Sequence, residues 1–235
     1  MVYKRTIFKH IRLSRPCLLC QNPLGERGIC QQCLSLLPVI LHACYRCGLP
    51  LESASDRLCG QCLKHPPYID HTVSLFHYTS PVAQLVCELK FRQGLEYALP
   101  LGALMAEHIQ ARVSELRLEL PEVVIPVPLH PKRMRQRGYN QALELARPIA
   151  RQLGLPIDNH LCLRSRHTHE QSQLAIEDRK RNIRSAFALQ EGAKLYRHVA
   201  IVDDVVTTGQ TVNELARVFK QAGIKRVDVW SCCRA

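Results

Sequence analysis

Residues 198–219 read HVAIVDDVVTTGQTVNELARVF. The run from Val199 to Asp203 suits a buried strand, and it ends in two adjacent carboxylates, Asp203 and Asp204. Charges at the end of a buried strand are costly unless something uses them. The next residues supply the use. Gly209 permits a backbone conformation closed to other residues and lets another group approach closely. Thr207, Thr208 and Thr211 offer hydroxyls, and a helix from Thr211 to Ala222 points its unpaired N–H groups and positive dipole end at the loop. That is a cradle for phosphate, formed by Val205, Val206, Thr207, Thr208, Gly209, Gln210 and Thr211. It is not a Walker loop, because G-x-x-x-x-G-K-[ST] is absent. The two acids repel phosphate but accept hydrogen bonds from sugar hydroxyls. Phosphate beside paired carboxylates describes a ribose 5-phosphate, with Asp203 and Asp204 on its 2′ and 3′ hydroxyls. The competing reading is a capped helix after an edge strand, its acids facing water.

Working outward, YIDHTVSLFHY from Tyr68 and VVIPVP from Val123 read as strands, as do LCLRS, AFALQ and VDVWSCC. Helical patterns occupy Pro81 to Arg92, Leu101 to Leu116 and Asn140 to Leu153. Strands alternating with helices predict an α/β domain with a mostly parallel sheet and helices on both faces. Ligands of such sheets sit beyond the carboxyl ends of the strands. That rule places PLHPKRMRQRGYN (from Pro128) and DDVVTTGQT on one rim.

Before Pro66–Pro67 the pattern is different. Eight of the 12 cysteines form four C-x-x-C pairs. CLLCQNPL from Cys17 matches CYRCGLPL from Cys44, and ICQQCLSLLP from Ile29 matches LCGQCLKHPP from Leu58. Two C-x-x-C turns supply four tetrahedral thiolates, so each copy predicts one structural zinc. The sets are Cys17, Cys20, Cys30 and Cys33, then Cys44, Cys47, Cys59 and Cys62. Spacing alone leaves an interleaved pairing open. So short a segment has little core, and metal affinity would supply its folding free energy. Cys87, Cys162, Cys232 and Cys233 lack such spacing and are expected to be buried apolar residues. The expected domains are a zinc module over 1–66 and the α/β domain over 67–235.

A formal charge of +12 and a pI near 9.3 favour an anionic partner. No run of about 18 apolar residues exists, so no transmembrane helix is expected. MVYKRTIFKHIRLSRP lacks the apolar core of a signal peptide and reads as a lead-in, or as a basic amphipathic helix making peripheral membrane contact. Cysteine clusters without an export signal point to a cytoplasmic setting and metal rather than disulfides.

Val202 to Thr211, a strand, two acids and T-T-G-x-T, resembles the fingerprint of type I phosphoribosyltransferases for phosphoribosyl pyrophosphate (PRPP). With PVPLHPKRMRQRGYNQALELA from Pro126, RSRHTHEQSQLAIEDRKRNIRSAF from Arg164 and the cysteine module, nearly the whole chain resembles the ComF family of competence proteins. The doubled cysteine repeat departs from members with a single four-cysteine finger. The resemblance implies a type I phosphoribosyltransferase-like fold in which Asp203 and Asp204 hold ribose and residues 207–211 hold the 5-phosphate. It puts Arg137, Gly138, Tyr139 and Asn140 in the place of the pyrophosphate loop. Arg166, Gln171, Arg179 and Asn182 fall in a loop over the site, and Lys90 is a further candidate. Mg²⁺ would accompany the diphosphate.

Two basic clusters, Lys132, Arg133 and Arg135, then Lys180, Arg181 and Arg184, suit a single-stranded DNA backbone or a solvated face. Three functions follow. The first is a competence protein that binds PRPP and handles incoming single-stranded DNA during natural transformation, alongside competence machinery proteins. The second is a nucleotide-salvage phosphoribosyltransferase, and the third a non-catalytic adaptor. Turnover and acceptor stay open.

Overall fold

The computed structural model describes residues 16–22, 28–53, 55–90, 94–164 and 186–235. The chain forms two compact units, Met1–Leu37 and Pro38–Ala235. The smaller carries the first cysteine copy and the short helix α1 (Gln31–Ser35), whose cap is Cys30, with its Sγ accepting from Cys33 N.

The larger unit opens with the second cysteine copy and helix α2 (Gly60–Lys64). Then follow β1 (His71–His77), α3 (Val82–Glu88), α4 (Leu95–Glu115), β2 (Val123–Pro126), α5 (Pro131–Arg137) and α6 (Gln141–Leu153). The rest is β3 (Cys162–Arg164), β4 (Phe187–Leu189), β5 (His198–Val206), α7 (Gln210–Gln221) and β6 (Arg226–Arg234). Four strands form a wholly parallel sheet in the order β1-β6-β5-β2, while β3 and β4 pair antiparallel.

The sheet follows from the sequence period. β5 and β6 are buried on both faces, as strands of a covered parallel sheet must be. Val199 and Ile201 of β5 share a core with Val212, Leu215, Ala216 and Phe219 of α7. Alternation turns Ala200 and Val202 to the other face, where α4 and α6 pack on the sheet and on each other. There Gly102 admits Pro148 so closely that a Cβ would lie 2.3 Å from its Cγ.

The second copy and the segment before it are hydrogen-bonded to β1. Ile40 N donates to Leu75 O (2.9 Å), Thr72 N to Tyr45 O (2.9 Å) and Thr72 Oγ1 to Arg46 O (2.6 Å). The boundary between the compact units, after Leu37, therefore falls a full cysteine copy before the motif boundary at Pro66–Pro67.

Three expectations shift. Helix α4 starts at Leu95 instead of Leu101 and carries Pro100 inside its second turn. The stretch after Pro128, read as rim loop, contains helix α5: His130 Nδ1 accepts from Lys132 N, Pro131 starts the helix, and Gly138 (φ 82°) ends it left-handed. Cys162, Cys232 and Cys233 are buried as expected, but Cys87 is exposed. The reason is the face α3 turns inward, which consists of Val82, Leu85 and Val86. Among the described residues no helix is long and apolar enough to cross a membrane.

Candidate functional site

Beyond the carboxyl ends of β1, β2 and β5 lies a cavity of about 480 Å³, within the roughly 300–1,000 Å³ of small-molecule sites. One wall is the end of β5 and the loop that follows it. Asp203, Asp204, Val205, Val206, Thr207, Thr208, Gly209, Gln210 and Thr211 all line it. Gly209 adopts φ 73° at the cap of α7, and a Cβ there would meet only Val206 Cγ1 at 3.9 Å. The glycine is thus required by backbone conformation, with no crowding to add to it. The first turn of α7 contains no acid, so its dipole favours an anion in the cavity.

The opposite wall is cationic. Lys90, Arg133, Arg137 and Arg164 line it with Tyr78, Val127, Leu129 and Gln141. Arg133 and Arg137 sit one helical turn apart on α5 and reach the cavity together, while Lys132 and Arg135 of the same helix are exposed to solvent.

The strand pleat separates the paired acids. Asp204 is buried, with Oδ2 3.6 Å from Lys90 Nζ. Asp203 Oδ1 accepts from Asp204 N (2.9 Å). The pKa of Asp203 is held well above the ordinary carboxylate value, first by burial and then by the charge of Asp204, with Lys90 pulling the other way. Burial and neighbouring Arg133 lower the pKa of Arg164, opposed by Asp203. Asp204 Oδ2, Gln141 Oε1 and Gln210 Oε1 are buried oxygens with no hydrogen-bond partner among the described residues. All three residues line this one cavity. Such atoms are costly in a dry site and suit hydroxyl donors or a hydrated divalent cation.

Gly138, Tyr139 and Asn140, expected at the pyrophosphate loop, are not among the lining residues. They build the wall. Tyr139 Oη donates to Leu89 O (2.5 Å), beside Lys90, and Asn140 Nδ2 donates to Val127 O (3.0 Å) while Oδ1 caps α6 at Ala142 N (3.0 Å). Arg166, Gln171, Arg179 and Asn182, with Lys180, Arg181 and Arg184, lie outside the described residues. Arg164, Gln141 and Tyr78 escaped the sequence reading. For Arg164 a signal exists, since it ends the apolar strand LCL two residues before Arg166.

Each cysteine copy gathers its own four sulfurs, all within 4.8 Å of one another, so the pairing is within copies and not interleaved. Cys20 Sγ to Cys30 Sγ and Cys47 Sγ to Cys59 Sγ are both 3.7 Å. The edge of a tetrahedron around zinc bonded to sulfur at about 2.3 Å is about 3.8 Å, so the ligands fit. Main-chain N–H groups steady the sulfurs: Cys30 N donates to Cys17 Sγ (3.4 Å) and Cys59 N to Cys44 Sγ (3.3 Å). Four thiolates leave no open position on the ion, which marks both sites as structural.

Comparison with known families agrees with this geometry. Residues 10–63 match the double zinc ribbon domain, and residues 140–234 match the phosphoribosyl transferase domain. The chain is thus a phosphoribosyltransferase-fold protein with an N-terminal double zinc ribbon. It is 34% identical over 223 residues to Competence protein F of Haemophilus influenzae, covering 93% of this chain and 96% of that one. It is 38% identical over 220 residues to DNA utilization protein YhgH of Salmonella typhimurium, with the same coverage. Competence protein ComFC of Bacillus subtilis is 25% identical over 88% of this chain and 89% of its own. The chain belongs to the ComF family.

Proposed function

We propose that this chain is a cytoplasmic competence protein that binds PRPP with Mg²⁺ in the cavity and handles incoming single-stranded DNA. The observation that carries the reading is the division of the cavity into a neutral-to-acidic ribose-phosphate wall and a cationic wall. Thr207 to Thr211 and the start of α7 take the 5-phosphate; Asp203 and Asp204 take the ribose hydroxyls. Lys90, Arg133, Arg137 and Arg164 face the diphosphate, and Mg²⁺ would neutralise some of its charge. The names of the relatives, competence and DNA utilization, support the biological setting. The charge of +12 and exposed Lys132 and Arg135 support a phosphate-backbone partner.

Calorimetry with PRPP tests the site. Asp203→Asn removes a charged acceptor, and the expected loss of affinity is roughly tenfold or more. Stability moves the opposite way. Because the folded-state pKa of Asp203 is raised, the native state is favoured when this group is protonated. That stability is full below the unfolded pKa and is lost as pH rises through the folded one. Asp203→Asn therefore raises the neutral-pH Tm by a few degrees. PRPP affinity in the wild type grows with pH as Asp203 ionises, and the variant loses that component. Wild-type indifference to PRPP sinks the reading. Oligonucleotide binding that fails to weaken with salt sinks its DNA component.

A further inference from the structure

Arg234 is the penultimate residue of the chain and is 7% exposed. Its position on β6 is paired with Val206 on β5 and His77 on β1. Its guanidinium joins two regions that the sequence keeps far apart. Nη1 shares its two N–H bonds among three carbonyls, those of Val206 (3.2 Å), Thr207 and Ala235, and Val206 O accepts also from Ala235 N (3.1 Å). Nε donates to the carbonyl of Cys47 (3.1 Å), a ligand of the second cysteine site. Arg234 is not among the residues that line the cavity; it stands behind the phosphate loop.

The geometry of a trans peptide gives this placement a consequence. In each peptide plane the carbonyl of one residue and the N–H of the next point in opposite directions. With the carbonyls of Val206 and Thr207 turned to Arg234, the N–H groups of Thr207 and Thr208 turn away from it. Free carbonyls at the same place would present negative dipoles to an anion. A planar guanidinium with fixed donors suits holding several carbonyls at once, and a point-charge ammonium does not.

We propose that Arg234 is the positioning residue of the phosphate loop, aiming the Thr207 and Thr208 amides at a ribose phosphate and tying the loop to the second cysteine site through Cys47. This rests on the ribose-phosphate reading of the cavity. The tie works in both directions. Coupling between two sites is reciprocal in binding free energy, so phosphate at the loop strengthens metal retention at Cys44, Cys47, Cys59 and Cys62. The bond from Arg234 goes to Cys47 of the second copy, so the first copy, Cys17, Cys20, Cys30 and Cys33, serves as an internal control.

The test uses the full zinc-loaded chain, its Arg234→Met and Arg234→Lys variants, and two probes. Ribose 5-phosphate reports on the loop, and magnesium pyrophosphate reports on the cationic wall. Arg234→Met is expected to lose ribose 5-phosphate affinity by roughly tenfold, the scale of one hydrogen bond to a charged group. Pyrophosphate affinity changes little, and Arg234→Lys recovers a fraction of the loss. In a chelator assay ribose 5-phosphate slows the release of one of the two zinc ions from wild type, and fails to slow it in Arg234→Met. Equal loss of both probes in both variants means general collapse and overturns the proposal. So does unchanged ribose 5-phosphate affinity in a folded Arg234→Met. Wild type that binds pyrophosphate but not ribose 5-phosphate overturns the ribose-phosphate reading itself, and the two failures are told apart by which protein shows them.

Discussion

The two cysteine copies share one pattern and are packed differently. Cys17/Cys20/Cys30/Cys33 and Cys44/Cys47/Cys59/Cys62 have the same C-x-x-C turns, the same short helix after the third cysteine, and matching sulfur separations. In the first copy only Cys17 is buried; in the second Cys44, Cys59 and Cys62 are. The second copy shares a compact unit with the sheet and reaches it through Tyr45, Arg46 and Cys47 carbonyls. A metal motif fixes local geometry, while its packing decides what depends on that geometry.

The widest separation between the copies should come from removing one ligand of each. Cys44→Ser leaves a buried group with no ion to complete, and loss of a structural metal is among the single changes that exceed about 4 kcal/mol. The expected outcome is one zinc per chain by metal analysis, a collapsed melting transition for residues 38–235, and no PRPP binding. Cys17→Ser is also expected to leave one zinc per chain, but with that transition and PRPP affinity retained. Equal damage from both would erase the comparison.

A finer separation lies in the glycines of the second copy. Gly48 has φ 68°, and a Cβ on it would stand 2.6 Å from Thr72 Cγ2 and 2.8 Å from Ser74 Oγ. Gly48→Ala combines left-handed strain with a clash against the sheet, for a cost of about 2–4 kcal/mol. Gly60, first residue of α2, has open space around its Cβ position and no positive φ. Gly60→Ala is expected to be neutral or to stabilise by about 0.5 kcal/mol. Denaturant melts of the two variants give the contrast directly. A neutral Gly48→Ala would mean that the second copy does not press on β1.

Much of this was legible in the sequence, for reasons that differ from element to element. The sheet strands announced themselves because burial on both faces leaves continuous apolar runs such as VAIV and VVIPV. The phosphate loop was legible because its whole chemistry is local, contained in nine consecutive residues from Asp203 to Thr211. The zinc pairing was legible because the repeat has two copies. The cationic wall was legible only in part, through Lys90 and Arg137. Lys90, the α5 pair Arg133 and Arg137, and Arg164 come from three segments that only the fold brings together, and the string KRMRQR does not reveal which arginines turn inward until α5 is known to be a helix. Gly138, Tyr139 and Asn140 stand together in the sequence, yet the contacts of Tyr139 and Asn140 shape the wall without lining it. Arg234 carried no signal, since a basic residue at the end of a strand is usually a solvated one.

The smallest effect concerns a position the repeat makes comparable. Gln21 and Gly48 hold the same place, directly after the second cysteine of each copy. Both take the left-handed backbone, φ 61° and φ 68°, and both N–H groups return to the first cysteine carbonyl at 2.9 Å. The turn therefore demands the same conformation twice, and glycine answers it only in the copy where Thr72 and Ser74 crowd the site. Gln21 is exposed, so its side chain has solvent to occupy and the position bears only backbone strain. Gln21→Gly relieves that strain at some cost in chain entropy, for a net gain of about 0.5 kcal/mol or less. The measurement is zinc release to a chelator from the first site, which should slow slightly. Acceleration would show that the glutamine side chain itself supports the turn, and that the two copies differ in how they close their metal loops as well as in what they pack against.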